Sequence, residues 1–75
     1  MERARVDSSS IASIGYDPAT RTLEVEFVNG GLYHYLDVPV EELERFVTSG
    51  SLGRYLNQHI KPSFEVRRVD RGDEE

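Results

Sequence analysis

The sequence predicts an α+β domain in which an antiparallel three-stranded meander is followed by two helices and a candidate C-terminal strand. Three observations predict it. Leu23, Val25 and Phe27 alternate with Glu24 and Glu26, the period of a half-buried strand. Asn29-Gly30 follows, the strongest short-range hairpin signal, because both residues accept positive φ. Beyond Pro39 the apolar residues change to helical spacing. Strands first and helices after them suit helices packed on one face of an antiparallel sheet.

The elements follow in order. Residues 10–16 carry Ile11, Ile14 and Tyr16 and read as a first strand, irregular near Gly15. Asp17-Pro18-Ala19-Thr20 is turn chemistry: Pro presets φ, and the Asp carboxylate can accept from the backbone ahead of it. Residues 22–28 and 32–36 form the next two strands. Val38-Pro39 ends the sheet and opens a helix, since the residue before Pro is pushed out of the α region and Pro suits a first helical turn. Glu41 and Glu42 then lie at the positive end of the helix dipole. Val40, Leu43, Phe46 and Val47 make one apolar stripe, and Thr48-Ser49-Gly50 ends the helix. Ser51 suits the cap of a second helix, whose face is Leu52, Tyr55, Leu56 and Ile60 and which stops at Lys61-Pro62. Residues 64–69 are the candidate last strand. The expected core contains Leu23, Val25, Phe27, Leu43, Phe46, Leu52, Tyr55 and Ile60. Residues 1–7 and the acidic residues 70–75 lack apolar periodicity and read as tails flanking a domain of residues 8–69.

Seventy-five residues with 37% apolar and 31% charged side chains make one globular domain, not a disordered chain. There is no cysteine, which excludes a disulfide framework and a thiolate zinc site. Residues 1–7 hold no apolar run and no stretch of about 18 apolar residues occurs, so neither a secretory signal nor a membrane span is expected, and the cytoplasm is the expected location. The net charge of −5 disfavours a polyanionic partner. It is unevenly spread: residues 51–69 hold Arg54, Lys61, Arg67 and Arg68 against Glu65 alone, between two acidic stretches. The favoured reading of that basic segment is an ordinary solvated face.

No catalytic residue is expected. The chain has no cysteine nucleophile, no G-x-S-x-G and no phosphate-binding glycine loop. No metal site or cofactor is expected either, because His34 and His59 lack ligand spacing with any acidic cluster. Tyr33 and Tyr35 share one side of their strand, and loop parity decides which. A two-residue loop, Asn29-Gly30, puts both beside Glu24 and Glu26 as an exposed stacking platform for bases. A three-residue loop, Asn29-Gly30-Gly31, pairs Val28 with Leu32 and turns both tyrosines to the apolar side. Gly31 favours the three-residue loop. Arg54, Gln58 and Lys61 fall at i, i+4 and i+7, on one face of the second helix. Gly53 suits close packing and Asn57 a hydrogen bond to a loop; the functional alternative is a polar contact near the first helical turn.

The chain resembles the KTSC family, a short domain found at the C-terminus of some lysyl-tRNA synthetases and as stand-alone small bacterial proteins. The residues that carry the resemblance are Ser10-Ile11, Tyr16-Asp17, Leu23-x-Val25-x-Phe27, Gly31-x-Tyr33-x-Tyr35, Val38-Pro39 and Ser51-x-Gly53-x-Tyr55-x-Asn57-x-x-Ile60. Leu56 and Leu43 depart from the pattern, standing where aromatic residues are common. The attachment to a tRNA-charging enzyme implies RNA as a partner. The expected function is therefore a small non-enzymatic binding module. One version binds RNA weakly, with Arg54, Lys61, Arg67 and Arg68 on phosphates and Tyr33 and Tyr35 on bases. The other docks a protein through a sheet edge or a helix face. A small enzyme ranks third.

Overall fold

Alternating apolar residues and a tight turn organise the sheet, as a computed structural model describing residues 3–69 shows. Five strands, β1 (Arg3–Arg5), β2 (Ile11–Asp17), β3 (Thr22–Phe27), β4 (Leu32–Tyr35) and β5 (Val66–Arg68), lie side by side in chain order, each antiparallel to the next. Helix α1 (Val40–Val47), the single turn α2 (Leu52–Tyr55) and a π-helical turn (Leu56–Ile60) connect β4 to β5. The α+β class and the order of the elements are those expected, and the candidate last strand forms. The sheet gains one strand more: β1 lies within residues 1–7, read above as a tail, and pairs with β2 from Arg3 opposite Gly15 to Arg5 opposite Ser13. Its sequence, Arg-Ala-Arg, offers no apolar alternation, and the pairing rests on backbone hydrogen bonds to an exposed edge. The acidic stretch 70–75 lies outside the described residues.

The β3–β4 turn fixes the side-chain faces. The Phe27 amide donates to the Gly31 carbonyl at 2.8 Å and the Gly30 amide to the Phe27 carbonyl at 2.9 Å. The loop thus has three residues, Val28-Asn29-Gly30, one position earlier than expected. Gly30 takes φ +99° at its third position, which is the role Gly31 was expected to fill. The register moves by two residues and every side chain keeps its side. Tyr33 stands opposite Val25 and Tyr35 opposite Leu23, on the apolar face as expected. Gly30→Val should lower stability by about 1–3 kcal/mol, since a β-branched residue strains this backbone, whereas Gly50→Ala, with open space at its Cβ, should change it little. Denaturant unfolding of the two variants checks this, and a Gly30→Val protein as stable as the parent would refute the turn assignment.

The core lies between this face and the helices. Ile11, Leu23, Val25, Val38, Phe46 and Ile60 are fully buried, with Tyr35 and Leu56 at 1% exposure. Phe27, Leu43, Leu52 and Tyr55 pack against this cluster but are only partly buried. Two members of the expected α1 stripe do not join it: Val40 and Val47 are each 48% exposed. The helix is rotated so that its inner side runs through Glu42, Leu43 and Phe46. The Glu42 carboxylate makes this possible, accepting from the Tyr55 hydroxyl at 2.8 Å and from the Arg45 guanidinium at 3.1 Å. Burial, then the hydrogen bond to Glu42, pushes the Tyr55 hydroxyl pKa up.

Local caps follow the sequence. Asp17 accepts from the Ala19 amide at 3.0 Å, and Ser51 caps α2 by accepting from the Arg54 amide. The Tyr16 hydroxyl donates to the Val38 carbonyl and ties β2 to the start of the helical segment. The second helix differs from the expected regular one. The Lys61 amide donates to the Leu56 carbonyl, an i→i+5 bond at 2.8 Å, so the chain widens into a π turn after one α turn.

Candidate functional site

Two concave surfaces hold five of the expected site residues: Tyr33, Tyr35 and Lys61 line one, and Arg54 and Asn57 the other. The first is a groove of about 290 Å³ on the apolar side of the sheet near the β3–β4 turn, lined by Phe27, Asn29, Tyr33, Tyr35, Lys61 and Val66. β4 supplies Tyr33, half-buried, whose ring meets Phe27 edge to face with centroids 5.5 Å apart and planes at 76°. A T-shaped pair uses the face of only one ring. Gly31 lies beneath Tyr33, where a Cβ would stand 3.1 Å from the ring. The π turn delivers Lys61 to this groove. Arg68 is the register partner of Tyr33 across β4 and β5, and directly paired residues project on the same face about 5 Å apart. Lys61 and Arg68 are exposed, and neither has an ion-pair partner among the described residues.

The other expected residues lie elsewhere. Tyr35 is buried to 1% exposure, and burial pushes its hydroxyl pKa up, so it forms the groove floor and offers no stacking surface. Arg67 pairs with His34 in the register and projects from the opposite face, with its guanidinium 3.9 Å from the exposed Glu65 carboxylate. Arg54 sits at the far end of the helical segment. The i, i+4, i+7 face expected for Arg54, Gln58 and Lys61 does not exist, because the π turn between them changes the angular step per residue. The four basic side chains therefore do not converge; two of them do, beside one tyrosine.

Arg54 and Asn57 instead line the second surface, a cleft of about 710 Å³ between residues 6–10 on one side and residues 49–54 with Asn57 on the other. Gly53 is tightly packed, as expected: a Cβ there would lie 2.8 Å from Ser10 Oγ. Asn57 is exposed and its side chain makes no hydrogen bond among the described residues, contrary to the loop contact expected of it. The serines of residues 8–10 have no helical or strand period, so nothing in the sequence joined them to Arg54.

The histidines take separate roles. On the face without helices, His34 Nε2 lies 2.8 Å from Glu24 Oε2, beside the Ser13 hydroxyl that donates to Glu26 at 2.9 Å. His59 packs on Tyr55 with ring centroids 4.5 Å apart. Among the described residues, no group of three or more His, Cys, Asp and Glu side chains is placed to hold a metal, and no helix is long and apolar enough to cross a membrane.

Comparison with known proteins matches these elements to a family. The model of the KTSC domain matches residues 7–64. An uncharacterized protein of Stutzerimonas stutzeri is 45% identical over 71 residues, 93% of this chain and the whole of that protein. The crystal structure of a KTSC domain protein from Yersinia pestis superposes with a TM-score of 0.87 at 42% identity, covering 92% of this chain and 97% of that one. A lysine–tRNA ligase of Nostoc is 33% identical over 63 residues, which are 84% of this chain and 11% of the ligase. On the family match and on this likeness along nearly the whole fold, the chain belongs to the KTSC domain family.

Proposed function

We propose that this domain is a non-enzymatic binding module of the cytoplasm that contacts single-stranded RNA weakly through Tyr33, Lys61 and Arg68. One observation carries the reading: Lys61 lines the same groove as the half-buried Tyr33. A ring beside unpaired cations is the combination that takes a base by stacking and its phosphates by charge. The relatives that are lysine–tRNA ligases carry the matching stretch within an enzyme that handles tRNA, which supports RNA as the partner class. The net charge of −5 limits the strength, so affinity should lie near the range of non-specific contact, about 10⁻⁴ to 10⁻⁵ M.

Salt tests the footprint. Two cations neutralise about two phosphates, so log affinity should fall against log salt with a slope of about −1.4 on single strands, and a roughly tenfold rise in salt should weaken binding about 25-fold. Fluorescence anisotropy with short labelled oligoribonucleotides measures this slope. A slope near zero, or no binding at low salt, would retire the reading.

A second reading has its own observation. Val66 is 44% exposed on β5, a three-residue strand at the sheet edge, and a protein partner could add a strand there. In that case β5 amides would shift on partner binding while RNA left the groove unchanged.

A further inference from the structure

The cleft holding Arg54 and Asn57 shares no lining residue with the aromatic groove, and the RNA reading leaves it without a task. From its polar groups we infer that it is a binding site for a phosphoryl group. Its donors are more numerous than the fold needs. The Arg54 guanidinium and the Asn57 amide have no partner among the described residues, and the hydroxyls of Ser9 and Ser10 have none either. Ser8 Oγ accepts from the Ser10 and Ile11 amides, both at 3.3 Å, which leaves its own proton to give. Ser51 Oγ accepts from the Arg54 amide at 3.4 Å and is left with a proton in the same way. Each hydroxyl has one donor proton besides its acceptor lone pairs.

These groups come from chain segments about forty residues apart, and two backbone features bring them together. Gly53 lets Ser10 approach the helical segment more closely than any side chain at that position would allow. The π turn starts at Leu56 and leaves Asn57 exposed at the cleft, and π turns occur often at functional sites. The single turn α2 is too short to contribute a useful dipole, and the site rests on side chains.

The chemistry selects the ligand class. One carboxylate, Asp7, lines the cleft, too few hard anionic ligands for a divalent cation. Several hydroxyl and amide donors around one guanidinium suit a group that is all acceptor, small and anionic, and Arg is the side chain best matched to phosphate oxygens. The cleft is lined by one cation and one carboxylate, so affinity should be millimolar. The source is either free phosphate or the phosphate of a mononucleotide.

The test is a ¹⁵N NMR titration of the full chain with inorganic phosphate, with adenosine 5′-monophosphate and with adenosine, each against sodium chloride at matched ionic strength. Saturable shifts centred on Ser9, Ser10, Gly53, Arg54 and Asn57 are expected with phosphate, with the monophosphate, or with both, and none with adenosine. The stronger of the two ligands identifies the source. Arg54→Gln, an exposed change that leaves the amide spectrum otherwise unaltered, should weaken binding about tenfold or more, and Arg21→Gln, an exposed change outside both surfaces, should leave it unchanged. Shifts no larger than those given by chloride, or an undiminished response in Arg54→Gln, would overturn the site.

Discussion

Phe46→Ala is expected to cost about 3–5 kcal/mol and to leave the domain largely unfolded at room temperature. Phe46 is fully buried and is the one side chain of α1 that is. Its ring packs against Tyr55 at a centroid distance of 6.0 Å and against the core that unites the sheet with the helices. An eight-residue helix has no stability of its own in water and holds its shape only by docking. Truncation thus leaves a cavity and undocks the helix together. A domain of this size has only a few kcal/mol to lose. Val47→Ala, on an exposed residue of the same helix, should move stability by less than about 0.5 kcal/mol. Thermal unfolding followed by circular dichroism separates the two. A Phe46→Ala protein that melts within a few degrees of the parent would mean that the helices are not anchored as described.

Tyr33→Ala should lower affinity for single-stranded RNA by about 5- to 150-fold, the loss of one base stacked on an aromatic ring. The two tyrosines of β4 make the comparison clean. Tyr33 is half-buried at the groove, while Tyr35 is at 1% exposure beneath it. Tyr35→Phe should therefore leave binding unaltered, and Tyr33→Phe should retain most of it, because the ring does the stacking. Anisotropy on the three variants, with folding checked by circular dichroism, measures the effect. Equal affinity for Tyr33→Ala and the parent would show that the ring takes no base.

Much of this architecture is legible in the residues, and the misses have physical causes. Leu23, Val25 and their alternating glutamates fix β3 because a period of two cannot serve a helix. The faces of Tyr33 and Tyr35 follow from the three-residue loop even though the loop itself slid by one residue, since parity, not position, sets the side. β1 is invisible because Arg-Ala-Arg has no apolar signal and its partner is a backbone edge. The π turn is equally hidden: Leu52, Leu56 and Ile60 recur every four residues, a spacing that an α-helix and a widened turn both satisfy. That one turn accounts for the separation of Arg54 from Lys61, and so for the scattered basic patch. Val40 and Val47 fit an apolar stripe, but Phe46 and Leu43 face the core and Glu42 bonds Tyr55 beside them, so α1 lies turned toward its acidic flank. The polar cleft depends on a long-range approach of residues 8–10 to Gly53, which no local pattern encodes.

An NMR titration of the labelled domain with a pool of short single-stranded RNAs at low and moderate salt shows directly whether the aromatic groove takes RNA. Shifts confined to Asn29, Gly31, Tyr33, Lys61, Val66 and Arg68, fading as salt rises, are expected. Shifts centred on the opposite sheet face around His34 and Arg67, or no shifts at low salt, would contradict it.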